Sequence, residues 1–265
     1  MKIGFCTYRW TIAVLFCMVS AFMYAQDFSA YKKEHFISEK DTLPYRVLFP
    51  KNYDATTTYP LILFMHGSGE RGTDNIAQLT HGAELFLRDS IQSKYPAFVV
   101  FPQCKKDYAW NNASYTIVDQ KRSYHFPKEL KPNLHLDLVE GLLKELQSDF
   151  SIDDKKIYVG GLSNGGMGTF EIVRRNPNKF AAAFPICGGA NPKIAGKLQH
   201  TPLWLFHGDE DSIVPFTGST EVYKALKKLN APVRICVYEG VDHDSWNQAF
   251  EEPDLLPWLF SHSKK

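Results

Sequence analysis

Ser163 stands in the run Gly161-Leu162-Ser163-Asn164-Gly165-Gly166. Small residues on both sides permit a tight turn that lifts the hydroxyl clear of the backbone. A helix opening near Asn164 would aim its unpaired N–H groups at the same place. A serine hydroxyl is a weak nucleophile until a base takes its proton. His243, in Val241-Asp242-His243-Asp244-Ser245-Trp246, is such a base. The turn Phe206-His207-Gly208-Asp209-Glu210-Asp211 supplies carboxylates, and an ionised one can hold an imidazole in the needed tautomer. Each feature has a plainer reading: a glycine turn with a capping serine, a solvated acidic turn, a solvated loop histidine. The order Ser163, Asp211, His243, each beyond a separate apolar run, favours the chemistry. A fourth stretch, His66-Gly67-Ser68-Gly69-Glu70-Arg71-Gly72, also follows an apolar run. The amide just past His-Gly could share an oxyanion with the amide of Asn164. Donors fixed before reaction need no reorganisation as charge develops.

These residues need a scaffold that brings them to one edge. Leu61–Met65, Ala97–Phe101, Ile157–Val159, Ala182–Ile186, Leu203–Phe206 and Val233–Tyr238 read as strands buried on both faces. Tyr45–Phe49 reads as an earlier strand paired with His35–Ser38. Between them, Asn133–Phe150 repeats leucine every fourth residue (Leu134, Leu138, Leu142, Leu146), and Asn164–Arg175 ends at Asn176-Pro177. Thr220–Leu229 and Leu255–Phe260 complete the helices. Alternation of this kind predicts an α/β fold with a mostly parallel central sheet and helices on both faces. No repeat or composition break divides the chain, so 26–265 is expected to form a single domain. Lys105–Leu130, rich in Asn, Tyr and Lys, is too long for a simple connection and is read as a substrate-facing loop.

The segment 1–25 has its own logic. Lys2 and Arg9 precede an apolar run from Trp10 to Tyr24, Ala25 closes it, and the first acid is Asp27. That is the pattern of a secretory signal peptide, and it places the protein outside the cytoplasm, secreted or periplasmic. The alternative is an uncleaved anchor, but a helix over 10–24 is roughly 22 Å long against a hydrocarbon core of ~30 Å. Stable membrane insertion after processing is therefore not expected. Losing Lys2 and Arg9 turns a formal net charge of +1 into −1. A balance so near zero argues against nucleic acid as the partner. Cys104, Cys187 and Cys236 remain, each in or beside an apolar run, and are expected as buried thiols. No CxxC or HExxH occurs, so no metal is expected. Gly67-x-Gly69-x-x-Gly72 does match the dinucleotide fingerprint. That reading needs a helix at the glycines and an acid ending the next strand, whereas Thr73-Asp74-Asn75 extends the loop and the next strand ends in Phe101-Pro102-Gln103.

The whole set of motifs resembles the α/β-hydrolase superfamily. It is most similar to the secreted esterase and "predicted peptidase" branch that includes polyhydroxybutyrate-depolymerase-like, feruloyl and acetyl-xylan esterases. The residues that carry the resemblance are His66 to Asn75, Phe101-Pro102-Gln103, Trp110, Gly161 to Gly166, His207 to Asp211 with Val214-Pro215, and His243 with Trp246. It implies Ser163 as nucleophile, His243 as general base and then acid, and Asp211 as the orienting carboxylate. Asp211 is preferred to Asp209 because it stands three before Val214-Pro215. It also implies the amides of Ser68 and Asn164 as oxyanion hole, with Glu70, Arg71 and Asp74 shaping the site. Trp110 and Trp246 are candidate substrate contacts, together with Tyr108, Tyr115 and Tyr124. The expected activity is a cofactor-free serine carboxylesterase acting on short-chain or aromatic acyl esters, as small molecules or linked to polysaccharide. A serine peptidase of the same fold and a non-catalytic carbohydrate-binding or adaptor domain are the alternatives.

Overall fold

The computed structural model describes residues 27–264. The proposed signal segment lies outside them. An antiparallel pair opens the chain, β1 (Lys32–Ile37) and β2 (Thr42–Leu48), and β3 (Tyr59–Met65) follows. Two short helices, α1 (Ala83–Leu87) and α2 (Asp89–Lys94), lead to β4 (Phe98–Pro102). Then come a hairpin, β5 (Ser114–Val118) and β6 (Lys121–His125), the long helix α3 (Leu134–Asp149) and strand β7 (Ile152–Leu162). The remainder alternates: α4 (Asn164–Arg175), β8 (Ala182–Ile186), α5 (Ala195–Leu198), β9 (Leu203–Gly208), α6 (Thr217–Lys228), β10 (Val233–Tyr238), α7 (Trp246–Phe250) and α8 (Leu255–Phe260).

Eight strands form one sheet in the order β1-β2-β4-β3-β7-β8-β9-β10, parallel from β4 to β10 and antiparallel at β1 and β2. Strand β3 shows why its sequence is apolar throughout. Leu61, Leu63 and Met65 pack on one face with α3, α4 and α6, while Ile62 and Phe64 pack on the other with α1, α7 and α8. With period-two side chains and helices on both faces, a central strand has no wet side. The fold is that of the α/β-hydrolases. Leu138, Leu142 and Leu146 are the buried stripe of α3, which Asn133 caps by accepting from the Leu136 amide at 3.0 Å.

The Lys105–Leu130 region is more ordered than its composition implied. The hairpin forms a separate two-stranded sheet, turning at Asp119 and Gln120, both at positive φ (49° and 63°). That is the twist a two-residue turn needs, supplied without glycine. Beyond the hairpin, Arg174 of α4 donates to the carbonyls of Pro127, Lys128 and Glu129 and pairs with Glu171 at 2.7 Å. The returning chain is thereby held on the helix. Cys104 and Cys187 are buried free thiols, as expected. Cys236 is only partly covered, because β10 is the edge strand of the sheet.

Candidate active site

Strand β7 runs straight into Ser163, and α4 starts at the next residue. The chain can turn so sharply only because side chains are missing. A Cβ on Gly165 would lie 1.9 Å from the Met65 carbonyl oxygen. Ser163 itself has φ 53° and ψ −114°, a strained conformation for a residue with a Cβ. The turn thus lifts Oγ off the sheet edge and turns the start of α4 toward it.

His243 Nε2 lies 2.9 Å from Ser163 Oγ, and its Nδ1 lies 2.8 Å from Asp211 Oδ2. The side chain of Asp211 is wholly buried. Its other oxygen, Oδ1, accepts from the amides of Ile213 (2.9 Å) and Val214 (2.8 Å). Burial alone would raise the carboxyl, but hydrogen bonds from His207, His243 and Val214 outweigh it and hold the group well below the usual carboxylate range. Asp211 is therefore an anion at any working pH, fixed to the imidazole that faces the serine.

Two loops must meet for this to happen. At the end of β9, a Cβ on Gly208 would sit 2.1 Å from the Val241 carbonyl oxygen, so only glycine lets the backbones of the two loops touch. Asp242 then accepts from the amide and the hydroxyl of Ser212, at 2.7 and 2.8 Å. Asp209, the neighbouring acid, instead accepts from the Gly240 amide at 2.7 Å. It is a loop tie, and of the two acids Asp211 is the one that reaches His243. His207 and Asp242 carried no assigned role in the sequence. His207 is buried, with Nε2 3.1 Å from Asp211 Oδ2 and Nδ1 2.8 Å from Ser219 Oγ. Its position after an apolar run was visible, but its contact with Asp211 depends on how the turn folds back.

The His-Gly stretch is organised by His66. Burial holds this imidazole near a pKa of about 4, so it is neutral. Its Nε2 accepts from the Cys104 amide (3.0 Å), so Nδ1 carries the proton and donates to the Gly67 carbonyl (2.6 Å). In a trans peptide the N–H points opposite to the C=O. With the Gly67 carbonyl drawn inward to His66, the Ser68 N–H is turned outward. There, Gly67, Ser68, Ser163, Asn164 and His243 line one cavity of about 620 Å³. Asn164 is the first residue of α4, so its N–H is one of the donors a helix leaves unpaired.

The aromatic candidates divide. Trp246 lines the cavity, edge-on to His243 at 5.5 Å between ring centres and tilted against His81 at 5.0 Å. Tyr115 and Tyr124 line it from the hairpin. Trp110 does not reach substrate. It is fully buried, its indole N–H donates to the His66 carbonyl (3.1 Å), and its own amide donates to Asn164 Oδ1 (2.9 Å). A large apolar ring with a single N–H is best satisfied between β3 and α4, and that is where it sits. Tyr108 packs on His135 at 4.6 Å and is no part of the cavity lining. No helix opens at Gly67–Gly72, and the segment instead closes on Gln103, which donates to the Glu70 carbonyl and Asp74. Among the described residues no cluster of His, Cys, Asp or Glu is arranged to hold a metal ion.

The model of the phospholipase/carboxylesterase family matches residues 53–253, from just before β3 to just before α8. The chain belongs to the phospholipase/carboxylesterase family. The chain spans only about a tenth of the length of several of the curated relatives it matches. Among solved structures, a thermostable esterase superposes with a TM-score of 0.79 at 32% identity over 89% of this chain and 64% of that one. A CE1 ferulic acid esterase from Anaeromyces mucronatus shares the fold, with a TM-score of 0.64 at 15% identity, covering 85% of this chain and 89% of that one. A bifunctional acetylxylan esterase/xylanase from Neocallimastix patriciarum is 33% identical over 79 residues, 29% of this chain but only 12% of that protein. Acyl-protein thioesterase 1 of Kluyveromyces lactis is 25% identical over 221 residues, 75% of this chain and 90% of the relative.

Proposed function

We propose that this phospholipase/carboxylesterase family member is an exported serine esterase for short-chain or aromatic acyl esters. The observation that carries the chemistry is the chain of contacts Ser163 Oγ–His243 Nε2 and His243 Nδ1–Asp211 Oδ2, at 2.9 and 2.8 Å, opening on a cavity. In this reading His243 takes the proton of Ser163 as Oγ attacks the ester carbonyl. The amides of Ser68 and Asn164 receive the developing oxyanion. His243, now protonated and stabilised by Asp211, gives the proton to the leaving alkoxide. Water then repeats the sequence on the acyl-enzyme, and Ser163 leaves as the alcohol did.

The acyl preference rests on the lining. Tyr115, Tyr124 and Trp246 give flat faces to a cavity that also holds Glu70, Arg71, His81 and Arg122. So mixed a wall suits a short or aromatic acyl group, and a long alkyl chain would find little continuous apolar surface. The feruloyl and acetylxylan esterases among the relatives agree with such substrates. The test is kcat/KM on one preparation for nitrophenyl acetate, butyrate and octanoate, methyl ferulate and a peptide anilide. Acetate, butyrate or ferulate should lead. A tenfold lead for octanoate, about 1.4 kcal/mol in transition-state binding, contradicts the pocket assignment, and a lead for the anilide makes the enzyme a peptidase. Export rests on residues 1–25: secreted protein should begin near Gln26, and terminal sequencing that still finds Met1 contradicts it.

A further inference from the structure

The cavity around Ser163 carries more positive charge than a neutral ester requires. Arg122 of β6 lines it, and also lines a neighbouring cavity of about 430 Å³. Tyr124 is shared in the same way, so the hairpin is the wall between the two spaces. The Arg122 guanidinium lies over the Tyr115 ring, 4.7 Å from its centre. Tyr115 pairs across the strands with Tyr124 at 5.3 Å, and Tyr124 stacks on Phe126. The guanidinium is therefore carried on a built platform of rings. Among the described residues the arginines in ion pairs are Arg88, Arg174 and Arg175, and Arg122 has no carboxylate partner. Arg71 lines the same cavity and spends its bonds on neutral groups, donating from Nε to the Ser68 carbonyl (3.0 Å) and from Nη1 to the Tyr108 carbonyl (3.1 Å). Glu70 lines the same cavity and faces His81 at 3.6 Å, Glu221 lines the neighbouring one, and neither carboxylate forms an ion pair with Arg71 or Arg122.

We propose that the β5–β6 hairpin forms an anion-recognising subsite, and that the enzyme's preferred substrates are esters bearing a carboxylate near the scissile bond. The proposal rests on the esterase reading of Ser163. A planar guanidinium without a carboxylate partner matches a carboxylate in a two-point contact, and a cleft wall concentrates its field on an incoming anion. A neutral ester gains neither. Because Arg122 faces both cavities, the charged group can extend from the reacting centre into the second one.

The test uses matched pairs that differ only in charge. For a charge on the leaving group, 4-acetoxybenzoate is compared with 4-acetoxybenzamide. For a charge on the acyl group, methyl 4-carboxybenzoate is compared with methyl 4-carbamoylbenzoate. In at least one pair the anion-to-neutral ratio of kcat/KM should be about tenfold or more at low salt, the scale of one charge-assisted contact, and should fall as salt is raised. Arg122→Gln should bring that ratio close to one, and Arg122→Lys should restore part of it. Binding of the same compounds to Ser163→Ala, measured by calorimetry with and without Arg122→Gln, reports the subsite apart from turnover. If no ester is hydrolysed but anion binding still depends on Arg122, the esterase reading fails and the subsite stands. Ratios near one in the wild type, or a ratio and an anion affinity unmoved by Arg122→Gln, overturn the proposal.

Discussion

Asp209 and Asp211 are two residues apart and chemically identical, yet the structure gives them different work. Asp211 is buried and bonded to His243, whereas Asp209 ties down the Gly240 amide at the surface. An asparagine at 211 can present N–H₂ to Nδ1 and favour the wrong imidazole tautomer, an effect that can reach about 10⁴ in rate. Asp211→Asn should therefore lower kcat by several orders of magnitude with KM little changed. Asp209→Asn, which keeps an acceptor for Gly240, should cost less than about tenfold. Steady-state kinetics of the two variants checks this, and equal losses would contradict the assignment. At this scale the meeting of Ser163, His243 and Asp211 was legible, because their residue types and order are unusual together. Trp110 was misread because an aromatic residue beside a loop looks the same in sequence whether it faces solvent, substrate or core. The ties made by Asp242 and His207 were illegible, since each depends on two loops folding against one another.

Among the elements, strands β8 to β10 and helices α3, α4 and α8 were legible from apolar runs and period alone, to within a few residues at their ends, whereas Ile157–Val159 is only the middle of β7, whose polar first half Asp153–Lys156 hid its start. Helices α5 and α7, of four and five residues, are too short to show a period. The β5–β6 hairpin was missed for another reason. Its strands are mostly exposed and carry Lys, Arg, Ser and His, and its turn is Asp119-Gln120 in place of the usual Asn-Gly or Asp-Gly. Because it pairs only with itself, the hairpin should be removable. Ser114 and His125 are register partners, so their backbones already lie close enough to be joined by two glycines. Excision should leave the thermal midpoint within a few degrees. It should also lower kcat/KM for methyl ferulate about tenfold relative to nitrophenyl acetate, through loss of Tyr115 and Tyr124. Circular dichroism melts and paired kinetics check the two halves of the expectation.

For the whole molecule, acid stability follows from imidazoles buried in neutral form. Burial lowers both His66 and His135 to about 4 from 6.5. Between those values the unfolded chain binds protons that the folded chain refuses. Stability is thus fully present above pH 6.5 and is lost as pH falls toward 4, by at most about 3 kcal/mol for each residue. Asp211 acts in a lower window. Its carboxyl is depressed in the folded state, so its contribution is present above the ordinary value of 3.8 and disappears only as the pH falls further. His135 offers the cleaner check. It is buried against Tyr108 and Trp110, and neither ring nitrogen has a partner among the described residues. His135→Phe keeps the ring contacts and removes two stranded polar atoms. It should raise stability by about 1–2 kcal/mol and flatten the loss between pH 6.5 and 4, as read by denaturant melts across that range. A variant as acid-sensitive as the wild type would exclude His135 as a source.

The catalytic expectations stand on Ser163 as the attacking group, and one measurement reaches it directly. A fluorophosphonate should be incubated with the wild-type protein and with Ser163→Ala, the modified peptide located by mass spectrometry, and ester hydrolysis followed in parallel. The expected result is a single adduct on Ser163, hydrolysis reduced on the order of 10⁴-fold or more in the alanine variant, and a melting midpoint close to that of the wild type. An adduct on another residue, or an alanine variant that still turns over ester, would contradict the account.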